Sequence, residues 1–475
     1  MQVPMPLRLM PRLRRAIAVA LLLPVLAFCL PRPASASFFG GVTIKDEKEM
    51  GQRFDILVRA SMPVIQDPEV TQYIRALLHR LTRSITHQPY TFVATVILNN
   101  SLNAFAIPGG YVYVFTGLIM NLEDEESLAA VLCHELAHVT QRHVAARMER
   151  AKYLTIGSLL LAIAGVAAGG SGGGAIAMGA LGAGQSAMLS YSRQDENEAD
   201  NIGFQYLLAA GYPPQGMADG FKVLRQKSWM SGTSVPTYLS THPAIGDRIN
   251  NIMARVAALP LSVQNRTQDE KRFNRVQALL WARYGDEQSA LQRFSSRSDA
   301  LSVMGRGVVL SRMNRVKDAE AAFDKAVAMA PGDALVNREA GIFHFRKGDM
   351  PSAEKLLREA MRLDPRDYMA TFFYARYLDE SGKTTQAENY YKEVLRYVPE
   401  EADVHEAYAR CLGKANRTLD AYIHMTYSAL YANNKRLMNQ YLAKAKALAE
   451  KSSDKKEFQR LEAACKVRKE IWDKD

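Results

Sequence analysis

The sequence predicts an α+β domain, mostly helical with a small sheet, followed by an all-α array of helical repeats. Two amphipathic segments and three short β-rich segments precede a strongly helical one, and a 34-residue period runs through the later part of the chain. The chain has 475 residues, of which 48% are hydrophobic and 23% are charged. That balance is typical of a globular protein with a large core, and it excludes a wholly disordered chain.

The first 36 residues have the pattern of a secretory signal peptide. Arginines up to Arg15 precede an apolar run over 16–30, and small residues at 34 and 36 form a cleavage site. Cleavage there would remove five arginines and no acidic residue, so the net charge would fall from +11 to +6. So mild a charge argues against a nucleic-acid partner. Lipidation at Cys29 is an alternative signal, which the bulky Phe28 before it disfavours.

The next predicted elements are two helices, a small sheet and a long helix. The hydrophobic pattern over 45–84 fits two helices that are divided at Asp67 and Pro68. The other elements follow in chain order: a strand over 92–98, a hairpin of 103–107 and 111–115 around Gly109-Gly110, and a helix over 124–149.

Residues 153–192 contain no charged side chain and are rich in glycine. This composition favours a lid or a membrane-surface element that covers a cleft. A membrane span is the alternative, but the contiguous apolar stretch falls short of the ~20 residues that a span needs.

The 34-residue period is typical of tetratricopeptide repeats (TPRs). Pro331, Pro365 and Pro399 follow one another at that spacing. Small and aromatic positions repeat in register with them: Gly307 and Gly341; Ala319, Ala353 and Ala387; Phe323, Leu357 and Tyr391; Ala326, Ala360 and Val394. Small residues let two antiparallel helices pack closely, and the proline ends the second helix. The pattern therefore predicts a helical solenoid with a concave face for peptides or partner proteins.

A metal-binding pattern lies in the helix predicted over 124–149. His134 and His138 are four positions apart, which puts both imidazoles on one helix face, where they can bind one Zn²⁺. Glu135 follows the first histidine and can take a proton from a water that the metal polarises. An ordinary amphipathic helix with chance histidines is the alternative. However, two histidines on so apolar a helix need a partner, and a metal is a suitable one.

A tetrahedral catalytic site needs a third protein ligand. His143 is near in sequence, but the elongated metzincin pattern needs a histidine one position later, where Val144 stands, so we assign His143 to the surface or to a structural role. Glu196 and Asp200 begin a second predicted helix and share one face of it. Glu196 could bind the metal while Asp200 orients a histidine. A solvated acidic helix start is an equally good interpretation of that spacing alone.

Together, His134–His138, Ser192-Arg193 and Glu196 to Asp200 resemble the gluzincin peptidases that include the heat-shock protease HtpX and the prenyl-protein CAAX endopeptidases. The signal peptide, the segment 103–110, Thr241-His242-Pro243 and the C-terminal repeats make the chain most similar to the BepA-type periplasmic branch of that family. The resemblance implies a zincin-like peptidase domain over 37–265 and a TPR solenoid over 266–475.

The resemblance also implies roles for single residues. Glu196 becomes the third ligand of one Zn²⁺, Asp200 its outer-shell partner, and Glu135 the general base. His242 lies near the zinc, where it either plugs the open position or stabilises the oxyanion, and Arg248 helps to position this region. An edge strand pairs with the extended substrate; its residues are Asn103, Ala104, Phe105 and Ala106.

The function implied is that of a zinc-dependent endopeptidase in the periplasm of a Gram-negative bacterium. The substrates would be unfolded or misassembled outer-membrane proteins, and the TPRs would bind these clients or the β-barrel assembly machinery, with peripheral membrane contact. Two alternatives stay open: a chaperone or adaptor whose protease site is latent, and a membrane-embedded protease.

Overall fold

A computed structural model of the protein describes residues 42–86, 88–150, 191–230, 237–451 and 455–472. The predicted signal peptide and residues 153–190 of the predicted lid lie outside the described residues. Within those ranges, no helix combines the length and the apolar character needed to cross a membrane.

The first described elements are two helices, α1 (Ile44–Ser61) and α2 (Pro68–Thr82), as the sequence predicted. The Asp67 side chain accepts a hydrogen bond from the Glu69 backbone, and Pro68 occupies the first turn, where its missing N–H is harmless. The sheet follows with β1 (Val93–Ile97), β2 (Ala104–Ile107) and β3 (Tyr111–Phe115). The strand order is β1-β3-β2, with β1 parallel and β2 antiparallel to β3. β2 is therefore an edge strand.

Ten helices follow the sheet in the described part of the chain up to residue 295. They are α3 (Thr116–Asn121), α4 (Glu125–Thr140), α5 (His143–Arg150), α6 (Arg193–Ala209), α7 (Gln215–Met230), α8 (Thr237–Thr241), α9 (Ile245–Ala257), α10 (Leu261–Gln264), α11 (Lys271–Tyr284) and α12 (Glu287–Ser295). The continuous helix predicted over 124–149 is wrong in one respect: it breaks between α4 and α5, where Arg142 takes a left-handed conformation with φ 57°.

The remaining helices pack as antiparallel pairs. They are α13 (Ala300–Arg312), α14 (Val316–Met329), α15 (Ala334–Lys347), α16 (Met350–Leu363), α17 (Tyr368–Glu380), α18 (Thr384–Tyr397), α19 (Ala402–Lys414), α20 (Thr418–Tyr431), α21 (Lys435–Ala449) and α22 (Lys456–Trp472). A Cβ on Gly307 would lie 3.2 Å from the Phe323 ring, and one on Gly341 would lie 2.9 Å from Leu357. These close approaches explain why small residues recur opposite large ones at the repeat period.

The N-terminal region of the described chain and the first repeats share one apolar core. A single cluster of buried side chains runs from Ile65 to Phe343. Polar contacts join the same parts, because Gln277 and Trp281 of α11 donate hydrogen bonds to carbonyl oxygens of α3 and of the residue after it. The C-terminal repeats have separate apolar clusters. The boundary that the sequence predicts at 265/266 stays a prediction.

A buried group of charges also joins α2 to the repeats. Arg338 is fully buried and contacts three carboxylates: Asp67 at 2.9 Å, Glu339 at 2.9 Å and Asp367 at 3.2 Å. Arg283 lies 2.6 Å from Glu339. We call these five residues the junction cluster.

Candidate active site

Helix α4 carries the two predicted ligand histidines through the apolar core of the N-terminal region. Asp124 caps its start by accepting a hydrogen bond from the Ser127 backbone, and nearly all the side chains after it are buried. His134 and His138 are both inaccessible to solvent, and their Nε2 atoms lie 3.0 Å apart. The four-residue spacing therefore does bring the two imidazoles together on one face.

Helix α6 brings the predicted acidic residues to the same place. Ser192 and Asp195 form a capping box that fixes its first turn. Glu196 is 1% exposed, and its carboxylate lies 3.6 Å from Nε2 of His134 and 3.5 Å from that of His138. The structure thus excludes the solvated helix start as a description of Glu196.

Close contact between α4 and α6 depends on Gly203. A Cβ at this position would stand 3.0 Å from backbone atoms of Cys133 and His134. Glu196, Asp200 and Gly203 recur at helical spacing and so share one face of α6. Sequence reasoning missed Gly203, although a glycine at that spacing from two acidic residues was a readable signal.

His242 completes a group of four. Its Nδ1 lies 2.9 Å from Glu196 Oε1 and 3.3 Å from Nε2 of His134. The ligand atoms of His134, His138, Glu196 and His242 all lie within 4.8 Å of one another, and we call these residues the site cluster. Tyr238 stacks on the His242 ring with 4.3 Å between centroids, and Tyr191 stacks on His138 at 3.7 Å. Neither tyrosine was foreseen from the sequence.

Asp200 and Arg248 hold His134 from behind. Asp200 Oδ1 lies 3.0 Å from His134 Nδ1, and Arg248 donates two hydrogen bonds of 2.7 Å to the Asp200 carboxylate. The Arg248 guanidinium also contacts Glu196. Burial opposes the ionised form of Asp200, but the hydrogen bond from His134 and the charge of Arg248 outweigh it and lower its pKa. The structure therefore brings together Asp200 and Arg248, the two residues that were predicted to support the metal ligands from outside the ligand set.

The electrostatics keep the ligand groups in the protonation states that a metal requires. Burial, then the charge of Arg248, lowers the pKa of His134, and burial lowers the pKa of His138 well below its usual value. Burial raises the pKa of Glu196, but the three neighbouring histidines outweigh this effect and the net pKa is lowered. Neutral imidazoles and an ionised carboxylate are the forms that bind Zn²⁺.

The donor set fits a divalent cation. An ionised Asp200 can only accept, so His134 Nδ1 carries the proton and its Nε2 presents a lone pair. The Nε2 lone pair of His134 faces Nε2 of His138 at 3.0 Å, Nδ1 of His242 at 3.3 Å and the Glu196 carboxylate at 3.6 Å. These distances leave no room for a water molecule between the atoms. Within the described ranges, Glu135 Oε1 is also buried without a hydrogen-bond partner. Lone pairs that converge in this way repel one another unless a cation lies among them.

Glu135 lies beside the cluster and next to the edge strand. Its carboxylate is 3.6 Å from Nε2 of His242, and the backbone N–H of Ala106 donates to it. Burial raises the pKa of Glu135 to about 7. Of the predicted substrate-binding residues, Ala104 to Ala106 belong to β2 and Asn103 immediately precedes it. The structure therefore places this strand edge at the catalytic carboxylate predicted from the sequence.

The sequence interpretation described the position of His143 less well than that of the other candidate residues. It is 7% exposed, and its Nδ1 lies 2.9 Å from Nδ1 of His138. It is thus not a surface residue, and among the described residues it does not belong to the group of four that could hold a metal.

Comparison with known proteins defines the class to which this arrangement belongs. Residues 68–256 match Peptidase family M48, and residues 304–368 and 374–422 match the tetratricopeptide repeat. A region that matches the M48 peptidases is therefore followed by a region that matches TPRs, and the predicted fold class is confirmed. Zinc is the metal of that family, and the site cluster offers nitrogen and oxygen atoms of the kind that bind zinc.

Particular relatives extend the match over both regions. The chain is 31% identical over 308 residues to the beta-barrel assembly-enhancing protease of Escherichia coli (strain K12) and 30% identical over 307 residues to that of Yersinia pestis, in each case 62% of both chains. A Vibrio cholerae protein that carries the same name provisionally is 37% identical over 226 residues, which is 46% of both chains. The matched part thus spans less than two thirds of these relatives.

Proposed function

We propose that the protein is a zinc-dependent endopeptidase that acts in the assembly and quality control of outer-membrane β-barrel proteins. The observation that carries the proposal is the buried site cluster, with Glu135 beside it, inside a peptidase family M48 domain. His134, His138 and Glu196 would hold the zinc ion. Bound there, zinc supplies the Lewis acidity that peptide hydrolysis at neutral pH requires.

The side chains of the protein supply the remaining chemistry. Glu135 takes a proton from the attacking water and delivers it to the leaving amine nitrogen, a role that suits a carboxylate whose pKa lies near neutrality. Asp200 holds the proton of His134 Nδ1, and Arg248 fixes Asp200 by two hydrogen bonds. These contacts keep the His134 lone pair directed at the cluster.

The substrate is proposed to bind as an added strand. β2 lies at the edge of the sheet, and one of its backbone N–H groups already points at Glu135. An extended peptide that paired with Asn103–Ala106 would therefore run past the catalytic carboxylate. Main-chain pairing is indifferent to most side chains, which suits a protease that acts on unfolded clients.

We further propose that His242 plugs the site in the arrangement described. Its Nδ1 lies among the ligand atoms, 2.9 Å from Glu196, where an oxyanion-stabilising group would stand back to leave room for substrate. Opening the site then requires the segment between α8 and α9 to move. This position also favours the second candidate function, a chaperone or adaptor whose protease site is latent.

The partners and the location follow from the relatives and from the repeats. Three relatives carry the name of a beta-barrel assembly-enhancing protease, and the TPRs offer a helical solenoid that suits protein partners. We therefore propose that the protein works in the periplasm, in peripheral contact with the outer membrane. Its repeats would bind misassembled outer-membrane proteins or the β-barrel assembly machinery.

Glu135→Gln tests the proposed activity. The variant should bind zinc with the affinity of the wild type but cleave an unfolded β-barrel substrate about 10²–10⁴-fold more slowly. Glu123→Gln, the same change at an exposed position just before α4, is the matched control. Undiminished cleavage by Glu135→Gln would contradict the mechanism. Unchanged assembly of outer-membrane proteins in cells that carry this variant would instead favour the chaperone.

Extraction of membranes with alkaline carbonate tests the membrane-embedded alternative separately. A protein that associates only peripherally is released completely. Retention in the membrane fraction would contradict the periplasmic location proposed here.

A further inference from the structure

His143 lies directly behind the metal-binding histidine His138. Their Nδ1 atoms are 2.9 Å apart, the two rings meet edge to face at 70°, and both side chains are buried. The Nε2 atom of His138 faces the site cluster on the opposite side of its ring. His138 is therefore held between the cluster and His143.

This contact exists only because the helix breaks. In a continuous α-helix a residue five positions on lies about 140° further round the axis, so His143 would point away from His138. Here α4 ends at Thr140, and Arg142 takes φ 57°, which turns the chain back before α5 begins at His143. The left-handed residue is thus the geometric cause of the contact.

A buried carboxylate holds that turn in place. Glu47 of α1 is 1% exposed and accepts a hydrogen bond of 2.7 Å from Nε of Arg142. A second nitrogen of the Arg142 guanidinium lies 2.6 Å from the same carboxylate, and Tyr90 donates to it at 2.6 Å. A left-handed conformation is costly for a residue with a Cβ, so tertiary contacts of this kind are what maintain it.

The other nitrogen of His143 faces a carboxylate. Its Nε2 lies 3.5 Å from Oε2 of Glu198, which is on α6 two residues after Glu196. His143 Nε2 makes no hydrogen bond with this carboxylate, and the tautomer of His143 with its proton on Nε2 leaves a lone pair on Nδ1. That lone pair can accept the proton of His138 Nδ1, so that His138 presents its Nε2 lone pair to the cluster. Asp200 selects the same tautomer of His134.

We infer that His143 is a positioning residue that fixes the ring orientation and tautomer of His138. The inference rests on the proposed zinc site and names a residue that the metal-binding pattern does not contain. Each ligand histidine then has its own buried acceptor: the carboxylate of Asp200 for His134, and the imidazole of His143 for His138. Outer acceptors of this kind raise the affinity of a histidine for metal.

Two substitutions in the full chain separate positioning from space filling. His143→Leu fills the space but accepts no hydrogen bond, whereas His143→Asn places an amide oxygen where Nδ1 stood. Competition with a zinc chelator should show about a 10–100-fold loss of affinity for His143→Leu and a loss of about threefold or less for His143→Asn. His79→Leu, which removes an exposed histidine of α2, is the control and should bind zinc like the wild type.

The outcomes distinguish this inference from the proposed function. A wild type that binds no stoichiometric zinc would overturn the proposed function itself. A wild type that binds zinc while His143→Leu binds it equally well would overturn only the role of His143, as would an Asn variant as weak as the Leu variant. Nitrogen NMR of zinc-loaded wild type needs no variant to fold: His138 should carry its proton on Nδ1, and a proton on Nε2 would contradict the inference.

Discussion

In the described part of the protein, the junction cluster and the site cluster are two buried groups of polar and charged side chains, and they are built on opposite principles. In the junction cluster the signs alternate: Arg338 is surrounded by Asp67, Glu339 and Asp367, and Arg283 by Glu339 and Asp67. In the site cluster three imidazoles and one carboxylate point their donor atoms at one another. In the junction cluster, charged side chains are paired with groups of opposite charge. The donor atoms of the site cluster instead need a cation as their common partner.

The difference shows that burial of charge does not by itself mark a functional site. Both clusters are largely buried, and both contain acidic residues with perturbed pKa values. What distinguishes them is whether each buried atom faces a group of opposite character. The junction cluster therefore predicts a role in stability, and the site cluster predicts ligand binding.

Removing the anion of the site cluster should give the largest effect. Glu196→Ala leaves only neutral imidazoles opposite the charge of Arg248, so zinc affinity should fall by at least about 10³-fold, or about 4 kcal/mol. Zinc titration of the variant beside Glu123→Ala measures it. Unchanged stoichiometry and affinity would contradict Glu196 as the third ligand.

Removing the central cation of the junction cluster should damage stability instead. Arg338→Leu leaves buried carboxylates without their partner and should lower the free energy of unfolding by about 3–5 kcal/mol, with zinc affinity retained. Urea denaturation measures the change. Arg460→Leu, which breaks an exposed pair with Glu457, should change it by less than about 1 kcal/mol. Equal effects of the two variants would refute the contrast between the clusters.

The geometry of the site cluster can be disturbed without touching a charge. Gly203→Ala inserts a methyl group against the backbone of α4, which should cost about 1–3 kcal/mol of stability and also weaken zinc binding. Gly246→Ala is the matched control, because a Cβ there meets nothing within 4 Å and should be neutral or stabilising by up to about 1 kcal/mol. Normal zinc affinity in Gly203→Ala would show that the spacing of α4 and α6 is not limiting.

The smallest expected effect concerns Asp367, because the junction cluster contains three acidic residues and two basic ones. Burial raises the pKa of Asp367 to about 6, because the attraction of Arg338 does not fully compensate. Its protonated form favours the folded state, so this contribution is full below about pH 4 and is lost as pH rises through about 6. Asp367→Asn keeps the cap of α17 and should be as stable as the wild type at pH 7 or more stable by about 1 kcal/mol.

The pH dependence provides the check on that prediction. The advantage of Asp367→Asn over the wild type, measured by urea denaturation, should shrink as pH falls from 7 to 4.5. An advantage that grows on acidification would mean that Asp367 is ionised throughout and that the junction cluster needs its charge.

Local signals explain what could be predicted from the sequence. Asp67-Pro68 divided the first two helices, Glu196 and Asp200 marked the start of α6, and the repeat register followed from small residues opposite large ones. The ligand histidines and Glu196 were visible because helical spacing alone brings each set to one face. In all these places the cause of the structure lies within a few residues of its effect.

Distant contacts explain what could not be predicted. The break after Thr140 contains neither glycine nor proline; it depends on a contact between Arg142 and Glu47, 95 residues apart. His143 could not be placed without that break. Likewise, Asp67 was interpreted only as a helix boundary, although it also pairs with Arg338, 271 residues away. No periodic pattern in a single sequence reports such pairs.

The apolar cluster that runs from Ile65 to Phe343 also has a consequence for how the molecule unfolds. Helices α11 to α15 complete the hydrophobic core under the active site, so the peptidase region and the first repeats should melt as one cooperative unit. The later repeats, with cores of their own, can fray or exchange hydrogen independently. A chain truncated after residue 265 would expose a wide apolar face, and the catalytic half would aggregate rather than work alone.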